Sequence, residues 1–100
     1  MENTIQEIQE WYLANCNGDW EHSFGVKIHT LDNPGWAVSI DLEDTIFENE
    51  IFREVKVNYA HNTDWYVCTK KENKFEGRGG PKQLEKILKT FLDWAACHNK

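Results

Sequence analysis

The side chains with the most chemistry in this sequence lie in a few short stretches. Asp19-Trp20-Glu21-His22-Ser23 sets acid, imidazole and hydroxyl next to one another. A nucleophilic triad is a spatial arrangement, and neighbouring residues on an extended stretch point to opposite faces, so this run reads as a polar loop. Asp19 or Ser23 would cap backbone groups there, with Trp20 packed beneath. The histidines His22, His29, His61 and His98 lack Cys-x-x-Cys or His-x-x-x-His spacing, which leaves a zinc site only if they meet in space, with Cys68 as the natural thiolate partner. A cysteine nucleophile needs a lowered pKa and access. Cys16 falls at a helix end whose dipole disfavours a thiolate, Cys68 falls mid-strand, and Cys97 falls near the tail. Gly77-Arg78-Gly79-Gly80-Pro81-Lys82 precedes a helix, where anions can bind, but it lacks the Gly-Lys-Ser/Thr ending of a P-loop and reads as a flexible connection. Asp41, Glu43, Asp44, Glu48, Glu50 and Glu54 crowd residues 41–54 against Arg53 alone. They do not follow the calcium-loop pattern, and no glycine lies among them, so they read as a solvated acidic loop or a docking surface for a basic partner.

The elements that must position these groups follow from periodicity. Thr4-Ile5-Gln6-Glu7 reads as a capping box opening a helix over 4–15, with Ile5, Ile8, Trp11 and Tyr12 at helical spacing and Asn17-Gly18 as the stop. Phe24, Val26, Ile28 and Thr30 alternate with polar or small residues. Trp36, Val38, Ile40 and Leu42 do the same after the Asp32-Asn33-Pro34-Gly35 turn, which predicts an antiparallel hairpin. Residues 43–51 form an exposed connection in which Ile46, Phe47 and Ile51 could pin the chain to the body. Val55, Val57 and Tyr59 predict a third strand, His61–Asp64 a turn, Trp65–Lys70 a fourth strand, and Lys74–Glu76 a short fifth. Pro81 suits the first position of a last helix, whose stripe of Leu84, Ile87, Leu88, Phe91 and Ala95 faces the core. The expected fold is α+β, one domain over residues 1–100. It has an N-terminal helix, a four- to five-stranded antiparallel β-meander and a C-terminal helix, with both helices packed on one sheet face and the other face wetter.

Composition narrows the function further. A chain of 100 residues holds one core and little room for a large cofactor. No apolar run nears the roughly 18–20 residues that span a bilayer, and Met1-Glu2-Asn3-Thr4 lacks the basic and apolar regions of a signal peptide, so a cytoplasmic location is expected. Three widely spaced cysteines make a poor disulfide framework and suit a reducing compartment. The formal charge of −6 divides unevenly, with a net of −10 over residues 1–54 and +4 over 55–100. An acidic field repels nucleic acid and steers cationic partners.

Trp11-Tyr12, Cys16, Gly18-Asp19-Trp20-Glu21-His22-Ser23, Gly25, Thr30-Leu31-Asp32-Asn33-Pro34-Gly35-Trp36 and Ile40-Asp41-Leu42 resemble the immunity protein 53 family, linked to bacterial polymorphic toxin systems. Trp65, Cys68, Phe75, Gly77, Gly79-Gly80, Leu84, Phe91 and Trp94 extend the resemblance over almost the whole chain. The resemblance implies a cytoplasmic antidote that binds a cognate toxin domain directly and stoichiometrically. It carries over no catalytic residue, metal or cofactor. The partner expected for an acidic antidote is a basic toxin, of which nucleases are a common kind. The expected contact comprises Glu21, Asp32, Asp41, Glu43, Asp44, Glu48, Glu50 and Glu54, with Trp20, Trp36 or Trp65 as an anchor. Monomer and homodimer both stay open, because a wet sheet face can self-associate. The alternative is a small metal-dependent or ligand-binding domain using Glu21, His22 and Cys68, or an anion site at Gly77–Lys82.

Overall fold

The computed structural model describes residues 3–58 and 63–98. Tyr59, expected at a strand end, and His61 and Asn62, expected in a turn, lie outside the described residues, as does the His98 side chain. The elements run α1 (Thr4–Asn15), α2 (Trp20–Ser23), β1 (Val26–Leu31), β2 (Gly35–Asp41), β3 (Val55–Val57), β4 (Tyr66–Lys71), β5 (Lys74–Gly79) and α3 (Leu84–His98).

Helix α1 spans the expected residues, but its cap is not Thr4. Asn3, in a non-helical conformation, accepts the backbone N–H of Gln6 on its side chain. Thr4 is the first helical residue, and its freed hydroxyl donates to the Glu85 carboxylate of α3 at 3.1 Å, tying the two helices together. Residues 19–23, expected as a loop, contain the single helical turn α2. Asn17 Oδ1 accepts the N–H groups of Asp19 and Trp20, a role expected of Asp19 or Ser23, and the turn drops the Trp20 ring into the core.

The five strands form one antiparallel sheet in the order β1-β2-β5-β4-β3. The fold class is as expected, with a strand order that departs from a simple meander. After the β1–β2 hairpin the chain crosses three strand positions, roughly 14 Å, before β3 forms the far edge. Strand β5 then closes the sheet against β2. It reaches Gly79, beyond the expected end at Glu76, because the glycines taken for a flexible connection permit close packing. A Cβ at Gly77 would strike Ile87 Cγ2 of α3, and one at Gly35 of β2 would strike the Gly79 carbonyl oxygen. For the same reason α3 begins at Leu84 and not at Pro81. The N–H of Gly80 donates to the Trp65 carbonyl and that of Gln83 to the Gly80 carbonyl, so residues 80–83 form a turn.

One sheet face carries Val38, Ile40, Phe75 and Cys68, and α3 lies across it with Ile87, Leu88, Phe91 and Ala95 inward. Helix α1 packs beside α3 and adds Ile8 and Trp11, whose indole meets Phe91 edge-on at 5.0 Å between ring centres. Among the described residues, no helix covers the opposite sheet face.

Candidate functional site

The acidic connection between β2 and β3 follows a defined path, because side chains elsewhere capture its main-chain carbonyls. Trp20 Nε1 donates to the Glu43 carbonyl at 2.9 Å, Lys70 Nζ to those of Glu48 and Glu50 at 2.7 and 2.6 Å, and Trp94 Nε1 to that of Ile51 at 2.9 Å. The Thr45 hydroxyl donates to the Leu42 carbonyl and accepts the Phe47 N–H, which turns the chain inward. Leu42 and Phe47 are buried beneath it. Phe52 also packs inward, against Phe75 and Trp94, and the acidic side chains are left at the surface to different degrees. Glu43, Asp44 and Glu54 are exposed, and Glu48 and Glu50 are half-buried. Two isoleucines stand among them: Ile46 is 62% and Ile51 82% exposed. The sequence suggested that these two pin the connection with Phe47, but Phe47 alone does so. The two isoleucines instead stand exposed within the acidic run, and exposed apolar side chains among charged ones are a composition found at protein interfaces.

The expected contact residues divide into those the fold uses and those it leaves available. The Glu21 carboxylate accepts the N–H groups of Asn17 and Gly18 at 2.9 and 2.8 Å. Its own backbone N–H and these two hold its carboxyl below the usual value, so it acts as a brace for the turn into α2. Asp41 accepts the Gly25 N–H at 2.9 Å and lies 3.8 Å from Lys74 Nζ. Glu48 accepts the Asp44 N–H and the Asn73 side chain. Asp32 sits in the β1–β2 turn, at the opposite end of β2 from Asp41 and roughly 20 Å away. Glu54 precedes β3 at the far sheet edge. The structure therefore gathers Asp41, Glu43, Asp44 and Glu48 and leaves Asp32 and Glu54 apart. It adds Glu72, which the sequence reading missed. Glu72 lies in the β4–β5 turn, and with Asp41, Glu43 and Lys74 it lines a recess of about 120 Å³. Only the β2–β5 pairing brings it there, and nothing local in the sequence marks that pairing.

No tryptophan serves as an exposed anchor in this region. Trp20 is 3% exposed, and Trp36, Trp65 and Trp94 are half-buried. The Trp36 indole N–H donates to the Pro81 carbonyl at 3.0 Å. The other candidate chemistry is dispersed. Among the described residues no three His, Cys, Asp or Glu side chains gather as for a metal ion. Cys68 is wholly buried, and burial pushes its thiol up to about 12, the reverse of what a nucleophile requires. The amides of Gly80 and Gln83, in the glycine-rich run and just beyond it, already donate within the chain, as described above.

A family model described as Immunity protein 53 matches residues 5–96. No curated protein and no solved structure matches the chain.

Proposed function

The chain belongs to the immunity protein 53 family, whose name implies an immunity protein, and on that premise we propose that it neutralises a cognate toxin domain by direct, stoichiometric binding and without catalysis. The observation that supports this reading is the β2–β3 connection. Its backbone is anchored from within, and along it lie exposed Glu43 and Asp44, half-buried Glu48 and Glu50, and exposed Ile46 and Ile51. A basic toxin surface, such as the nucleic-acid site of a nuclease, is the complementary partner. The carboxylates would speed encounter and the isoleucines would slow release. The site of action is the cytoplasm, and no described helix is long and apolar enough to cross a membrane.

The test is a kinetic measurement by surface plasmon resonance with the toxin domain immobilised. Asp44 has a φ of 63°, a conformation that asparagine adopts at less cost than lysine, so the charge variant is Glu43→Lys with Asp44→Asn. Association should slow about tenfold and lose much of its salt dependence. Ile46→Ala with Ile51→Ala should instead raise the dissociation rate. Unchanged rates in both variants would remove the connection as the contact, and absence of any complex with the wild-type chain would remove the neutralisation reading.

A further inference from the structure

The face of the sheet that carries no helix has the opposite electrostatic character to the chain as a whole. The register places three rows of side chains on it. His29, Ala37, Arg78, Val67 and Lys56 form one, Lys27, Ser39, Glu76 and Thr69 the second, and Asp41, Lys74 and Lys71 the third. Five cations thus face Asp41 and Glu76 on the rows and Glu72 at their end in the β4–β5 turn, a net of +2 on a protein of net charge −6. Asp41 and Glu76 are engaged within the sheet. Glu76 accepts the Ser39 hydroxyl at 3.1 Å, and Asp41 holds the Gly25 N–H and lies near Lys74. Lys27, Lys71 and Arg78 are exposed, and their side chains make no hydrogen bond or ion pair among the described residues. Lys71 and Lys74 stand directly opposite each other in the β4–β5 register, a like-charge arrangement that opposes folding. Thr69, Lys71, Glu72, Lys74, Glu76 and Arg78 border a shallow depression of about 500 Å³ on this face.

We propose that the helix-free face of the sheet is a second docking surface, one that takes an acidic peptide segment of a protein partner. Charge complementarity selects this occupant. Two copies packed through this face would set +2 against +2, which disfavours the homodimer that a wet sheet face first suggests. The rows contain no Phe, Tyr or Trp on which an unpaired base could stack. Five strands and three rows cover about 400 Å², half of the roughly 800 Å² a globular partner needs, so the fitting occupant is a segment and not a second globular body. The proposal rests on the sheet face, which shares Asp41, Glu72 and Lys74 with the recess beside Glu43 but none of residues 43–51.

The experiment is a ¹⁵N–¹H correlation titration of the full chain with a poly-glutamate peptide at low salt. Saturable shifts are expected at Lys27, Thr69, Lys71, Glu76 and Arg78, with residues 43–48 unmoved. Lys71→Glu with Arg78→Glu should weaken binding about tenfold. Lys82→Glu with Lys86→Glu changes the net charge by the same four units on residues outside the sheet and should leave affinity within about twofold. Equal weakening by both pairs, shifts spread over all lysines, or no saturable shift would overturn the proposal. So would a DNA duplex binding as tightly to the same residues, because the face would then read phosphate and not carboxylate.

Discussion

Gly77 offers a direct test of how the sheet and α3 are fitted together. It sits in β5 between Val38 and Cys68, beneath α3, where a methyl group would strike Ile87 Cγ2 and come 3.4 Å from Phe75 Cε2. Ile87 and Phe75 are fully buried, so neither can move aside into solvent. Overpacking of this kind costs about 1–3 kcal/mol, and the loss of backbone freedom in the unfolded chain returns about 0.4–1 kcal/mol. Gly77→Ala should therefore destabilise by about 1–2 kcal/mol, a fall in Tm of about 5–15 °C for a domain of this length. The contact is with the β-branched methyl, so Ile87→Leu, which moves the branch one carbon outward, should relieve it. Alone that change costs less than about 1.5 kcal/mol. The double variant should be more stable than the sum of the singles predicts by about 1 kcal/mol. Urea unfolding followed by tryptophan fluorescence gives all four values. Additivity within about 0.5 kcal/mol, or a Gly77→Ala protein as stable as wild type, would refute the account of why glycine occupies this position.

Thiol titration with Ellman's reagent should label exposed Cys97 and half-buried Cys16 in the native protein and reach Cys68 only on unfolding. Burial raises the Cys68 thiol from 9.0 to about 12, so the unfolded chain releases this proton at lower pH than the folded one. Stability should then decline as pH rises from about 9 toward 12, with a shallower decline in Cys68→Ala. The sign reverses for Glu21. Its lowered carboxyl contributes stability above the unfolded value of 4.5 that is lost as pH falls, so Glu21→Gln should flatten the acid limb of the stability profile.

Sequence patterning located nearly every element, because alternation and helical spacing are local signals. The α1 boundaries, the β1–β2 hairpin and the α3 stripe all follow from residues a few positions apart. What it did not show depends on partners distant in the chain. The strand order, Thr4 reaching Glu85, and the pairing of Gly79 with Trp36 at the end of β5 each involve partners at least 33 residues apart. The site divided in the same way. The acidic stretch was visible as a run of charge. Which of its members already serve the fold was not, and neither was the exposure of Ile46 and Ile51 beside buried Phe47, since all three are equally apolar on paper.

The capture of carbonyls by Trp20, Lys70 and Trp94 has a consequence for how this protein can diversify. A carbonyl is present on every amino acid, so the path of residues 43–51 is specified by donors outside the loop and by Leu42, Thr45 and Phe47 within it. The outward positions 43, 46 and 51 can therefore be exchanged without redrawing the backbone. Such an arrangement lets the recognition surface be rewritten for a new target while the scaffold beneath it keeps its shape.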